Sequence, residues 1–265
     1  MKLFFTLFSL LSLAATASIA KVTDTLQIKQ GDLDMKALQT GSYSYILYTR
    51  KTKDSPAQRI TLVKINVEAK PYNDKPAFFV TQEWDRDTIV HAASSVFDAK
   101  DFSTILHDTW WKSTGYSIKF DFEAKTVSFT ERGIKGSIPD SVKLIAKKDF
   151  DQSFENYNLN WHADLLVYQV LPYKDGRTFV INYYDPGFGK AEKVNYSVTG
   201  SDFLVNNDGQ KIDCWVLYHS DPGNIYERFW ISKKTKEVLK EEDSSPGGYR
   251  YKIKIGVGGN VVHSP

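Results

Sequence analysis

Residues 96–122 lie on residues 229–255 without a gap, 133 positions apart. Lys100 then meets Lys233, Leu106 meets Leu239, Gly115 meets Gly248, Tyr116 meets Tyr249 and Lys119 meets Lys252. Phe97 falls on Trp230, Ile105 on Val238, and Phe120 and Phe122 on Ile253 and Ile255. Each copy reads as a strand, a short polar turn, a strand ending in acidic residues, a loop closed by Gly, and an alternating strand. A chain that says this twice builds two like halves. A half with one apolar face must cover it against something.

The closing strand of each copy carries the clearest pattern. In YSIKFDFE, Tyr116, Ile118, Phe120 and Phe122 share one face, with Ser117, Lys119, Asp121 and Glu123 opposite. In YRYKIKI the same parity puts Tyr249, Tyr251, Ile253 and Ile255 together, and turns Arg250, Lys252 and Lys254 toward water. Period two means strand, and polar alternation means one wet face. SYSYILYT, TLVKINVEA, PAFFVTQEW, TVSFTE, RTFVINYY, VNYSVT and DCWVLYHS read as further strands. Turn chemistry at Lys174-Asp175-Gly176, Asn207-Asp208-Gly209 and Asp221-Pro222-Gly223-Asn224 separates them, which predicts consecutive hairpins.

Residues 158–172 break the pattern. Leu159, Ala163, Leu166, Val167 and Val170 recur at helical intervals, Asn160 can cap the start and Pro172 stops the run, so a helix is predicted over 158–171. A shorter one is expected at 34–39. Residues 132–157 show no dominant period; Gly133, Gly136 and Pro139 favour a loop, and 141–150 is ambiguous. The expected fold is mainly β: a curved antiparallel meander, a half-barrel of two similar halves (about 40–131 and 173–255), with one or two covering helices. A sheet of about ten strands curls or closes rather than staying flat.

Met1-Lys2 is followed by the apolar run LFFTLFSLLSLAATASIA, which ends in the small-x-small sites Ala15-Thr16-Ala17 and Ser18-Ile19-Ala20. This describes a signal peptide over 1–20. It implies a periplasmic or extracellular chain from about Lys21, with one β domain over 21–256, no stable membrane insertion and a flexible tail over 257–265. The single Cys, Cys214, permits no intrachain disulfide and reads as a buried small hydrophobe. A net charge of +2 with interspersed Lys and Glu lacks the basic footprint of a nucleic-acid binder.

The stretches LVYQVLPYKDGRTFVINYYDPG, VTGSDFLVNNDGQKIDCWVLYHS and FWISKKTKEVLKEE, within 158–255, resemble an exported bacterial family described as domain of unknown function 3108. That family is similar in outline to the periplasmic lipoprotein-carrier group, so the resemblance implies a half-barrel and a lipophilic cavity. It implies no catalytic residue. The first half joins the resemblance only through the repeat.

Chemistry is sparse. The five His (His91, His107, His162, His219, His263) form no H-E-x-x-H pair, and there is no C-x-x-C cluster or G-x-S-x-G elbow, so no metal or cofactor is expected. A hairpin turning near Ala99-Lys100 would set His91 about opposite Asp108, with Ser94 and Ser95 nearby; a surface charge pair is the plainer reading. Asp85, Asp87, Glu241, Glu242 and Asp243 read as solvated acids beside turns. The aromatic share of 14% leaves rings to line a pocket or fill a core. The candidate apolar lining is Trp84, Trp161, Leu166, Val170, Tyr116, Phe120, Trp215, Trp230 and Tyr249. Three readings stay open: a non-enzymatic carrier of a lipid or other apolar molecule, an envelope scaffold with a packed interior and a protein partner, and a hydrolase built on His91 and Asp108.

Overall fold

A computed structural model describes residues 24–133 and 137–256. The expected signal peptide and C-terminal tail lie outside these residues. Strand β1 (Thr25–Gln27) leads to β2 (Gly41–Arg50), β3 (Gln58–Tyr72), β4 (Lys75–Asp85), β5 (Ile89–Asp98), β6 (Thr104–Trp111), β7 (Tyr116–Asp121) and β8 (Thr126–Glu131). Helix α1 (Asp140–Ser153) and the short β9 (Leu159–Asn160) follow. The second half is β10 (Thr178–Tyr184), β11 (Glu192–Val205), β12 (Lys211–Asp221), β13 (Ile225–Ser232), β14 (Val238–Ser245) and β15 (Gly248–Ile255).

One 15-stranded sheet results, in the order β1-β10-β11-β12-β13-β14-β15-β2-β3-β4-β5-β6-β7-β8, with β9 also on β10. Both halves are antiparallel meanders, and they join where β15 pairs with β2. Gly248 makes that junction. Its φ is +124°, and a Cβ there would lie 2.2 Å from the Arg50 carbonyl oxygen, so only a residue without one lets the two backbones meet. Tyr251 stacks on Tyr48 across the same join, with ring centroids 5.1 Å apart.

The apolar alternation of β2, β3, β10 and β11 points Tyr43, Tyr45, Val63, Ile65, Phe179, Ile181, Tyr196 and Val198 into one core. The segment after β9 fills the concave side, but not as the helix predicted over 158–171. A 3-10 turn (Trp161–Ala163), one α-turn (Asp164–Val167) and a second 3-10 turn (Tyr168–Val170) replace it. Leu165 to Leu171 are all buried, Gln169 included, so the segment is a plug wrapped by sheet rather than a helix with a wet face. Asn160 does cap its start, accepting a hydrogen bond from the His162 N–H at 2.9 Å. The short helix expected at 34–39 is only a single 3-10 turn, Met35–Ala37.

Helix α1 occupies the stretch whose period was unreadable. Its buried residues are Ala146, Phe150 and Ser153, while Leu144 and Ile145 face solvent, which blurs the helical stripe. Phe150 packs on Phe120 of β7 and beside Tyr184 of β10. Phe120 and Tyr184 lie 6.4 Å apart, so the sheet curls until its ends meet around this helix.

The repeat is real as strands but not as the gapless alignment. Ser103 O accepts from Asp98 N–H as Glu237 O accepts from Ser232 N–H, both at 2.9 Å. Phe102 and Lys236 sit at φ 61° and 62° in the same turn. These equivalences are 134 apart (236 − 102). The next hairpin is tighter in the second copy, with Ser245 opposite Gly248 where Trp111 is opposite Tyr116. From there the offset is 132: His107 faces Phe120 as Glu241 faces Lys252. A spacing of 133 is the mean of the two and puts every aligned residue on the wrong face.

Candidate functional site

The parity expected for β15 is therefore reversed. Ile253 and Ile255 are exposed, 38% and 45%, whereas Lys252 is buried at 7%. Arg250, Lys252 and Lys254 face the interior side, and acids come to meet them. Lys252 Nζ donates to Glu241 Oε2 at 2.5 Å. Arg250 Nη2 donates to Glu241 Oε1 at 3.0 Å and its Nε to Asp243 Oδ2 at 2.5 Å. Lys254 pairs with Glu237. Glu227 accepts from the Tyr196 hydroxyl at 2.6 Å. Glu241, Glu242 and Asp243 are thus buried, not solvated turn acids.

Around Arg250 and Lys252 stand four carboxyls, Asp164, Glu227, Glu241 and Asp243, which is more negative charge than two cations cancel. Their proton affinities separate accordingly. Burial raises Asp243 to about 9, helped by the Glu241 charge and opposed by Arg250. Burial also raises Asp164 and Glu227. Glu241 is buried too, yet Lys252 and Arg250 outweigh that and hold it below the usual carboxylate range. Burial pulls Lys252 down, but Glu241 and Asp164 outweigh it and raise it.

This cluster opens at the rim. A cavity of about 560 Å³ lies among the β2–β3, β12–β13 and β14–β15 hairpins, lined by Arg50, Arg59, Glu227, Asp243, Tyr249 and Arg250 among others. Two of its lining residues each hold a buried polar atom without a hydrogen-bond partner, Arg50 Nε and Asp243 Oδ1. Nothing in the sequence reading pointed here except Tyr249. The available signal was the hairpin itself: once Ser245 faces Gly248, Glu241 must face Lys252.

The nine candidate lining residues do not converge. Leu166 and Val170 are in the main core, with Trp84, Trp161 and Trp215 packed against it. Tyr116 and Phe120 belong to the cluster under α1. Trp230 sits with Cys214 and Leu239 in a separate cluster, its indole N–H on Asp202 Oδ2 at 2.9 Å. Trp161, Trp230 and Tyr249 line three different cavities. Cys214 is buried, as read, and burial raises its thiol to about 11.

His91 does not oppose Asp108. It faces Trp111, stacked at 3.8 Å, and Asp108 faces Ser94, because the β5–β6 turn lies farther along than Ala99-Lys100. His91 and His107 instead gather with His162 from the plug segment; the rings of His107 and His162 are 5.0 Å apart. Among the described residues no group of three or more His, Cys, Asp or Glu stands in place to hold a metal ion.

None of the curated proteins matches this chain. Solved structures do. A "beta-barrel-like protein of domain of unknown function DUF1849" from Brucella abortus is 9% identical, covering 84% of this chain and 98% of its own at a TM-score of 0.36. A DUF1329 family protein from Desulfovibrio piger is 13% identical, covering 87% and 90%, at 0.29. A structure from Bacteroides fragilis titled a putative exported protein with YmcC-like fold is 11% identical, covering 82% and 94%, at 0.32. The family match is wider than the stretches that suggested it and takes in both halves. Residues 43–254 match the family described as protein of unknown function (DUF3108), and the chain belongs to it.

Proposed function

We propose that this is an exported, non-enzymatic binding protein that takes a small anionic ligand in the rim cavity. The carrying observation is the charge balance on the lining of one 560 Å³ space, where Arg50, Lys51, Arg59 and Arg250 outnumber Glu227 and Asp243. That excess of cations favours a carboxylate or phosphate group. The size lies within the range of small-molecule sites. Export is supported by the leader-like residues 1–20, and a chain lacking them is expected to stay in the cytoplasmic fraction.

Calorimetric titration of the purified chain with glucuronate and with inorganic phosphate tests the site. Saturable one-to-one binding is expected for at least one of them, weakened at least tenfold by Arg59→Gln. No heat from either probe, or affinities that ignore the substitution, refutes the reading.

An apolar occupant has a different place. Leu204, Val205, Ile212, Leu239, Tyr251 and Ile253 line a groove of about 490 Å³ on the outer face, beside Lys240. The concave face, where the carrier reading put a lipid, holds the 159–171 segment. Fatty-acid uptake that survives the rim substitution and is lost on Ile253→Asp supports the outer groove instead.

A further inference from the structure

The three clustered histidines share one arrangement: each ring has its Nδ1 engaged. His91 Nδ1 is 2.9 Å from the Trp110 carbonyl oxygen. A carbonyl only accepts, so that nitrogen carries the proton, and a neutral His91 has its lone pair on Nε2. His162 Nδ1 is 3.1 Å from Asp185 Oδ1, and a carboxylate likewise takes the Nδ1 proton and leaves the lone pair on Nε2. His107 Nδ1 is 2.8 Å from Ser95 Oγ, and its Nε2 is buried without a partner.

Two lone pairs therefore meet. His91 Nε2 and His162 Nε2 are 3.2 Å apart. Two neutral imidazoles in these tautomers repel at that distance, so a cation belongs between them. A zinc-class ion about 2.05 Å from each nitrogen would subtend roughly 100° across that gap, within the tetrahedral range. The outer partners are those that orient metal-binding imidazoles: a backbone carbonyl, a carboxylate and a hydroxyl.

We propose that His91 and His162 bind a divalent d-block cation of the zinc class through Nε2, with His107 closing in as the third ligand. Two nitrogens are already at ligand spacing, and the His107 ring, 5.0 Å from that of His162 with its Nε2 unbonded, is the third donor nearby. The described residues hold no ready three-ligand set, so His107 must move to complete it. An all-imidazole donor set suits zinc, copper or nickel and disfavours calcium or magnesium. The His91 ring is fixed by Trp111 on its face and Trp84 edge-on at 5.4 Å. Asp185 is one-third exposed, and the exposed ring of Phe188 is 6.3 Å from that of His162.

The test uses the purified chain stripped by a chelator and titrated with zinc against a chromophoric competitor, then with cobalt. One equivalent of zinc is expected, with visible ligand-field bands from cobalt and a zinc-dependent rise in melting temperature. His162→Gln should weaken zinc at least a hundredfold. Asp185→Asn, on a half-exposed loop where folding is not at stake, should weaken it about tenfold or more. His219→Gln, at a pair with Asp221 elsewhere, should change nothing. A proton only between His91 and His162 is the contrary outcome: no cobalt bands and no stoichiometric zinc. Zinc uptake that is lost in His219→Gln and kept in Asp185→Asn also overturns the proposal.

Discussion

The triplets β5–β6–β7 and β13–β14–β15 have the same turn between their first two strands, with a left-handed residue at the same place in it, and the same antiparallel pairing order. At one equivalent spot the first carries His107 facing Phe120 and the second carries Glu241 facing Lys252. The first solution is aromatic, with Phe120 on Phe150 of α1. The second is ionic, and each charge there depends on the others. The backbone frame thus fixes which positions face inward, and leaves open whether apolar contact or charge pairing fills them. An inward strand face is defined by what it meets, not by what it is made of.

Breaking one ion pair should expose that dependence most strongly. Lys252→Met leaves Glu241 buried with only Arg250, and a cost of about 3–5 kcal/mol is expected in urea unfolding, the usual range for an orphaned buried charge. Glu241→Leu added to it should recover most of the loss. A double variant as unstable as the single would show that these two charges are not a pair. The aromatic copy offers no such rescue, since nothing there depends on a partner charge.

Acidity sharpens the contrast next. Asp243 binds its proton more tightly folded, about 9, than unfolded, near 3.8. Its contribution to stability is then complete below about pH 4 and is lost as pH rises toward 9. Asp243→Asn should flatten a decline in melting temperature between pH 5 and 8. An unchanged slope would place the stored proton elsewhere. The smallest effect belongs to the shared turn. Lys236→Gly relieves a left-handed residue and should gain roughly 0.5–1 kcal/mol. Phe102→Gly relieves the same φ but removes a fully buried ring, so it should lose stability. Equal signs for the two would mean that the turns are not equivalent.

Much of the fold was legible because β strands announce themselves by period two. The meander, the similar halves and the edge-to-edge join follow from that, and Asn160 gave the start of the plug. The faces of β15 were not legible in the same way. Alternation separates two sets of residues but does not say which is inside, and assigning the apolar set inward ignored the acids on β14. The plug misled for a related reason: side chains buried all round keep helical spacing without needing a helix. The rim cavity draws on three hairpins distant in sequence, and the histidine cluster on two strands and a plug. Neither leaves a local pattern.

The meeting of the sheet's two ends around α1 has a mechanical meaning. Everywhere else on the circumference, neighbouring strands are laced by backbone hydrogen bonds. Where the β1, β9 and β10 end approaches β7 and β8 there is no strand pairing among the described residues, and the contacts include the rings Phe120, Phe150 and Tyr184, which hold no fixed register. Such a seam can slip or part without unzipping a ladder. The shell is therefore least resistant along that line.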